Sequence, residues 1–588
     1  MRTIKPTRTM TAAVLAAGCL GLAGAPAMAQ QTSAAASGAA TKPKAFPLSV
    51  AAKTWTVAAG GTLVLDGDLA LSGDDALEIN GTAEKPCTLV GNGHQIKTKG
   101  NWTGHVTATH CTFKQLGKTQ AVIKVPNPGT WPGFKIDDPD VPAFVMTGQR
   151  AADWTFQDCT FDQCSFLVFN ANGQSTLAFR HNTVLANALF PVSEQPAASR
   201  PCINVSGSST AKKFFQGNRV YKGECCFQAA NAMIGGDRDA ESNVIIGLRA
   251  KIRASGRGTV IRGNYVHVLL PGSDISPHFA YWSQVSTFEP GDTLAEHNVI
   301  RDGEWIVRFV EGEFRYNLIC DINDHDLCQN GSIGKIHHNI FFGSKPNHAQ
   351  GSMGGCIAIV YKPKTPGGGV EIYNNTFDGC GRLAVPAVEV GKEGFVKTFR
   401  NNVAFNFALG EKFGKGPAAM VRPNFFEEFS APLPERMGYA DYNLFYNPKS
   451  KSTMNYALGV AGKTLRKDAG FALNDVERGG AVDQQVDPRF AGPLPTAFPF
   501  KDEDIQSGKV TVSQMLAQFR RAYTPAAGSP LVAAGDPADG DGADIGAIGA
   551  GKPHKDDCFG RLAARPGKQG ERRPPHAPGA AAGSLQGQ

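Results

Sequence analysis

The sequence predicts an all-β chain wound into a solenoid of stacked parallel strands, with loops inserted between them. Three observations lead there. A short motif of Asn followed by strand-forming residues recurs along the middle of the chain. The segments between its copies are short β-branched and aromatic runs bounded by Gly, Asn and Asp. No stretch in that region carries the apolar period of a helical repeat.

The motif appears as HNTV (181–184), GNRV (217–220), SNVI (242–245), GNYV (263–266) and HNVI (297–300). It continues as YNLI (316–319), HNIF (338–341), NNTF (374–377), NNVA (401–404) and YNLF (442–445), and HCTF (110–113) and DCTF (158–161) carry Cys in the Asn place. The shortest spacings between copies are 19, 21, 22, 23, 25 and 27 residues, and the others run from 34 to 48. The short set matches one solenoid coil, and the long set one coil carrying a loop.

The stacking of coils explains the Asn. Strands of a parallel sheet lie about 4.8 Å apart, so a residue turning inward at a corner meets its equivalent one coil above. Asn tolerates the left-handed corner conformation, and its amide can bond both the neighbouring amide and the backbone.

Bulk composition agrees. Gly at 68 residues, with 19% charged and 9% aromatic residues, suits a turn-rich β protein. The formal charge of +7 is spread along the chain and calls for no nucleic-acid partner, although it suits an anionic polymer.

The fold signal extends beyond the motif. INGTAEKPCTLVGNG (79–93) is similar to the opening coils, and SPLVAAGDPADGDGADIGAIG (529–549) to the closing segment, of the pectate-lyase-like superfamily. Over residues 50–550 the chain resembles these right-handed parallel β-helix proteins. The resemblance implies the right-handed winding and a carbohydrate-active role, with polysaccharide lyases, often calcium-assisted, as one common activity. No stretch matches a lyase family's catalytic motif, so the resemblance assigns no residue.

The order of segments follows. Arg2, Lys5 and Arg8 precede the apolar run AAVLAAGCLGLAGAP, and Ala27-Met28-Ala29 reads as a cleavage site. Residues 1–29 are therefore expected to be a signal peptide cut after Ala29, and the protein to be secreted or periplasmic. Residues 30–47 form a small-residue linker, 48–447 the β-helix, 448–550 an irregular closing region, and 551–588 a disordered tail. Loops are expected at 114–150, 186–212, 344–355 and 405–438, and a short helix at 511–523. No other run approaches the roughly 18 apolar residues that cross a bilayer. Of the 13 cysteines, all but Cys19 belong to the exported part, so some disulfides are expected. No CxxC pair has zinc-ligand spacing.

Counting forward from each anchor Asn fixes a register. Phe227, Ala229, Ile252, Ala254, Val307, Phe309, Asp326 and Cys328 should face inward, and the residues between them outward. Lys251, Arg253, Arg308 and His325 then gather on one outer face as candidate catalytic residues. His278, Tyr281 and Trp282, on an inserted coil, and Gln329 are candidate substrate contacts. Such a strip suits an acidic, uronate-containing polysaccharide. A lyase must neutralise the uronate carboxylate and remove the adjacent C5 proton. Arg253 and Arg308 suit the first task, Lys251 or His325 the second. A solvated face, with Arg308 paired to Glu311 or Glu313, explains the same residues without catalysis.

The acidic run Asp321, Asn323, Asp324 and Asp326 invites a calcium reading, but it lacks the Gly and terminal Glu of an EF-hand loop and reads better as a solvated turn. The expected function is a polysaccharide lyase acting by β-elimination as a monomer. The alternatives are a glycoside hydrolase, using Glu311 with Asp324 or Asp326, and a non-catalytic glycan-binding or surface protein.

Overall fold

The computed structural model describes residues 52–118, 141–185, most of 202–446, 486–550 except 541, and 557–562. Within 202–446 the longer stretches outside the described residues are 269–285, 302–310, 323–332, 345–356, 380–387, 407–420 and 424–435. The strands form two 14-stranded sheets, one of eight strands and one of three, and neighbouring strands within them run parallel. The chain visits the three large sheets in rotation. Asp153–Gln157 lies in sheet A, Thr160–Asp162 in sheet B and Leu167–Ala171 in sheet C, and Thr176–Arg180 returns to sheet A one coil higher. This is a right-handed parallel β-helix, the hand that parallel crossovers take. Its first strand is Thr54–Val57 and its last Leu444–Tyr446.

The recurring Asn forms one continuous ladder at the corner between sheets A and B. Asn182, Asn218, Asn243, Asn264, Asn298, Asn317, Asn339, Asn375, Asn402 and Asn443 are all buried. In the first nine, the side-chain Nδ2 donates to the Oδ1 of the next Asn, as from Asn298 to Asn317 at 3.0 Å. The backbone N–H of Asn298 donates to the same oxygen at 2.9 Å, and its Nδ2 also reaches Ile261 O at 3.0 Å in the coil below. Below Asn182 the ladder passes to thiols. Cys159 N donates to Asn182 Oδ1, while Cys159 Sγ and Cys87 Sγ lie against the carbonyls of Ala108 and Ala58 at 3.5 and 3.2 Å.

Two expectations are corrected here. The left-handed residue is the one before the ladder Asn: His181, His297, Tyr316, His338, Asn374, Asn401 and Tyr442 have φ of 50–55°. That residue turns the chain, which frees the following Asn to point inward. The expected disulfides are also absent among the nine described cysteines, all of which are buried. In the lower coils their thiols take the place of a ladder amide, so an even cysteine count carries no pairing information.

Apolar residues stack in vertical columns inside the helix. Phe113, Phe161, Phe179 and Phe215 lie ring over ring at 4.9, 5.4 and 5.6 Å. Phe227, Ala229, Ile252 and Ala254 are buried as their register predicts, whereas Val307, Phe309, Asp326 and Cys328 lie outside the described residues. Two spans expected to be loops contain strands of sheet C, Phe144–Gly148 and Ile203–Ser206, and a third contains Val421–Pro423 of the small sheet.

A second core lies outside sheet B. From Val244 upward the strands of sheet B are apolar on both faces, and their outer side chains, among them Tyr265, Leu318, Phe342 and Leu444, are covered by residues 498–547. The expected closing region thus runs along the solenoid wall. Its main helix, Val512–Ala522, starts at a Thr511 capping box with Gln514 and buries Met515, Leu516 and Phe519. Polar bonds fix the docking: Asp502 accepts from Tyr265 at 2.8 Å, and Tyr523 donates to Asp378 at 2.6 Å. Phe519, packed on Phe342 and Phe498 at 5.3 and 6.2 Å, is central. Phe519→Ala should cost about 3–5 kcal/mol and make residues 486–550 the first site of limited proteolysis. Unchanged cleavage would show that this face is held by other contacts.

The tail from 551 is not featureless, contrary to its composition. Residues 557–562 include a short helix, Phe559–Leu562, that packs against the solenoid. Burial of Leu562 and the contacts of Asp557 and Cys558 described below supply what low apolar content made unexpected.

Candidate functional site

Sheet C carries the part of the predicted strip that lies among the described residues. Strand Lys251–Ala254 pairs with Glu224–Phe227 on one side and Ser286–Phe288 on the other. Ile252 and Ala254 point into the core, so the alternation of the strand puts Arg253 between them at an outward position. Arg253 is half-buried. Its row across the sheet reads Lys97, Val145, Val168, Asn204, Cys226, Arg253 and Thr287. Lys251 stands in register with Glu224, an acidic neighbour that the forward count did not find. The long connections 119–140, 186–201 and 269–285 each leave a strand of sheet B and return to one of sheet C, so they are rooted at the edge of this face.

Arg308, His325, His278, Tyr281, Trp282 and Gln329 lie outside the described residues. Of the proposed partners of Arg308, Glu313 is held by Arg315 at 2.9 Å and by His337 at 2.7 Å. Of the acidic run, Asp321 pairs with Arg301 at 3.1 Å. Its carboxylate is committed to a guanidinium, so this residue does not fit a calcium ligand.

The outer face of sheet A holds a polar column that forward counting missed. Counting back two residues from the six ladder asparagines between Asn264 and Asn402 gives Arg262, Glu296, Arg315, His337, Tyr373 and Arg400, which are successive register partners. Glu296 is fully buried between Arg262 (Nε 2.6 Å) and Arg315 (Nε 2.8 Å). His337 stacks on Tyr373 at 4.5 Å, and Arg400 lies over Tyr373 and pairs with Asp539. Each arginine here faces a carboxylate, so the column brings no surplus cation to a substrate. It tethers the solenoid coils to one another and to the C-terminal region.

The column sets an acid limit on stability. The bond from His337 Nε2 holds Glu313 down at about 2, with Arg315 adding to the effect. Burial pushes His337 itself down, so its ring is neutral and its Nδ1 can accept from His338 Nδ1 at 2.8 Å. Both groups have native pKa values below their unfolded ones, so the unfolded chain takes up protons first. Stability is therefore full above about pH 6.5 and falls on acidification. Glu313→Gln should flatten the urea-midpoint profile by about 1 kcal/mol between pH 7 and 4. A profile of unchanged slope would remove Glu313 from this role.

Partway along the same corner, a second cluster forms from sequence-distant residues. Glu296 Oε1, His297 Nδ1 and Cys558 Sγ all lie within 4.8 Å of one another, and all three residues are buried. His297 Nε2 meets Asp557 at 2.8 Å, and Asp557 also receives Arg520. Glu296 is bonded at the same time by Arg262 and Arg315.

No protein-family model matches the chain, and no curated protein matches it. Among solved structures, it is similar to "a new PL6 alginate lyase complex with trisaccharide", at 10% identity and a TM-score of 0.26, over 75% of this chain and 90% of that one.

Proposed function

We propose that the protein is an exported polysaccharide lyase acting on a uronate-containing polysaccharide bound along the outer face of sheet C. The observation that supports this reading is that Arg253 sits between buried Ile252 and Ala254 on a sheet C strand that begins at Lys251. Sheet B from Val244 upward is covered, and Arg262, Arg315 and Arg400 of sheet A are paired with carboxylates.

In the proposed reaction Arg253, with Arg308, neutralises the uronate carboxylate and so favours the carbanion-like transition state. Lys251 or His325, in its unprotonated form, takes the C5 proton. The electron pair of that C–H bond forms the C4–C5 double bond, the C4–O bond breaks, and the leaving oxygen takes a proton.

Incubating the purified protein with alginate, pectate and glycosaminoglycans, with and without calcium, tests the reading. The expected result is rising ultraviolet absorbance from the unsaturated product on one of them. New reducing ends without that absorbance would overturn it in favour of hydrolysis. Retention on a polymer without any product would overturn it in favour of a binding protein.

A further inference from the structure

We propose, resting on the sheet C reading above, that the substrate face extends below Arg253 as four uncharged subsites. Gln228, Ser206, Asn170 and Thr147 would each hold one sugar residue of the polymer. Register puts them in line. Thr147, Asn170 and Ser206 are successive strand partners, and Gln228 continues the row one residue past its strand, its N–H bonding Val205 O at 2.7 Å. The residues before them, Met146, Phe169, Val205 and Phe227, are buried in the core, so alternation turns all four outward. Thr147, Asn170 and Ser206 are partly exposed, and Gln228 is exposed.

The spacing suits a glycan. Parallel strands put equivalent side chains about 4.8 Å apart, close to the length that one pyranose ring adds to an extended chain. A glycan lying along the solenoid axis therefore meets the same kind of contact at each ring. Cys226 and Gln228 belong to the coil next to Arg253, since Arg253 is the register partner of Cys226. With a uronate on Arg253, the next four rings fall over Gln228, Ser206, Asn170 and Thr147 in turn.

The side chains suit sugar hydroxyls. Each of the four offers a hydroxyl or an amide, which both donates and accepts, as a sugar hydroxyl does. Among the described residues these groups have no hydrogen-bond partner in the protein, and neither has the amide of Asn204, whose Oδ1 is shielded from solvent. The neighbouring outward row holds Val145 and Val168, both partly exposed, and then Asn204. An aliphatic strip thus lies beside a hydrogen-bonding one. A pyranose divides its surface in the same way, between its C–H face and its hydroxyls.

Charge separates these subsites from an ordinary solvated face, which mixes in ionised side chains. The outward positions Val145, Thr147, Val168, Asn170, Asn204, Ser206, Cys226 and Gln228 are all uncharged, whereas the coil below presents Lys97 and Lys99. Uncharged groups hold a sugar through short-range bonds, so their contribution survives added salt. The attraction between Arg253 and a carboxylate is screened by it.

The test titrates the full-length protein with size-graded oligosaccharides of alginate, pectate and glycosaminoglycans in a calorimeter, with kcat/KM replacing affinity wherever cleavage occurs. On the polymer recognised, affinity should rise about 2- to 10-fold with each residue from the second to the fifth. The rise should persist at about 1 M salt, where the Debye length is about 3 Å. Asn170→Ala should erase the gain from the fourth residue and leave shorter oligosaccharides unaffected, and Thr147→Val should do the same for the fifth. Affinity that stops rising at the disaccharide, a rise that vanishes in salt, or an equal loss at every length in Asn170→Ala would overturn the subsites. So would absence of binding to every oligosaccharide. Should a variant fail to fold, the wild-type length and salt series decides. Length-dependent affinity without cleavage would keep the subsites and overturn the lyase, and cleavage without length dependence would do the reverse.

Discussion

Asn218→Ala is expected to lower the unfolding free energy by about 4 kcal/mol without changing the fold. Its Oδ1 accepts from Asn182 N at 2.9 Å, and its Nδ2 donates to Phe179 O and Asn243 Oδ1, each at 3.0 Å. Truncation leaves the Asn182 N–H and the Phe179 carbonyl buried without these partners. Each such group costs about 1–3 kcal/mol at this buried corner. Asn92→Ala is the control, because the Asn92 side chain makes one 3.2 Å bond near the surface and should cost under about 1 kcal/mol. Urea unfolding followed by circular dichroism measures both. Equal costs at the two positions would mean that the ladder is ornament on a structure held by its apolar columns.

The second large effect concerns activity. Arg253→Ala should lower kcat/KM on the acidic polysaccharide by about 100- to 1000-fold, the range for removing one preorganised stabiliser of developing negative charge. Arg253→Lys should recover part of it, since a point charge replaces the planar fork that matches a carboxylate. Lys251→Ala should lower kcat by about 100-fold or more if Lys251 is the base. The strand's core side, Ile252 and Ala254, is untouched by these changes, so thermal unfolding should stay within about 0.5 kcal/mol of wild type. Activity that persists in both variants would remove sheet C from the chemistry.

Much of the fold could be read before any coordinates because one residue type repeats for one reason. Ten asparagines in one context pointed to stacking, and stacking fixed the inward positions. The corner assignment slipped by one residue because HN, YN and NN pairs bring two turn-tolerant residues together, and side-chain direction separates them only once the coil is closed. The second core left a trace that went unread. The position after the ladder residue is Thr in HCTF, DCTF and HNTV but Val, Tyr or Leu in SNVI, GNYV, HNVI and YNLI. That change marks where the outer face of sheet B becomes covered.

The site was less legible. Arg253 follows a short, regular run from Asn243, so counting put it between buried Ile252 and Ala254. The sheet A column lies at a fixed offset behind the ladder and needed only a backward count. The Glu296–His297–Cys558 cluster had no such offset, since its third member reaches the corner through the tail's own docking. Local pattern carries no record of that contact.

A crystal structure of the Lys251→Ala variant with an acidic oligosaccharide, drawn from whichever polymer the wild-type protein cleaves, tests the central claim most directly. The account predicts sugar along the outer face of sheet C, with a uronate carboxylate paired to Arg253. Sugar bound over the column of sheet A, with Arg253 facing solvent, would contradict it.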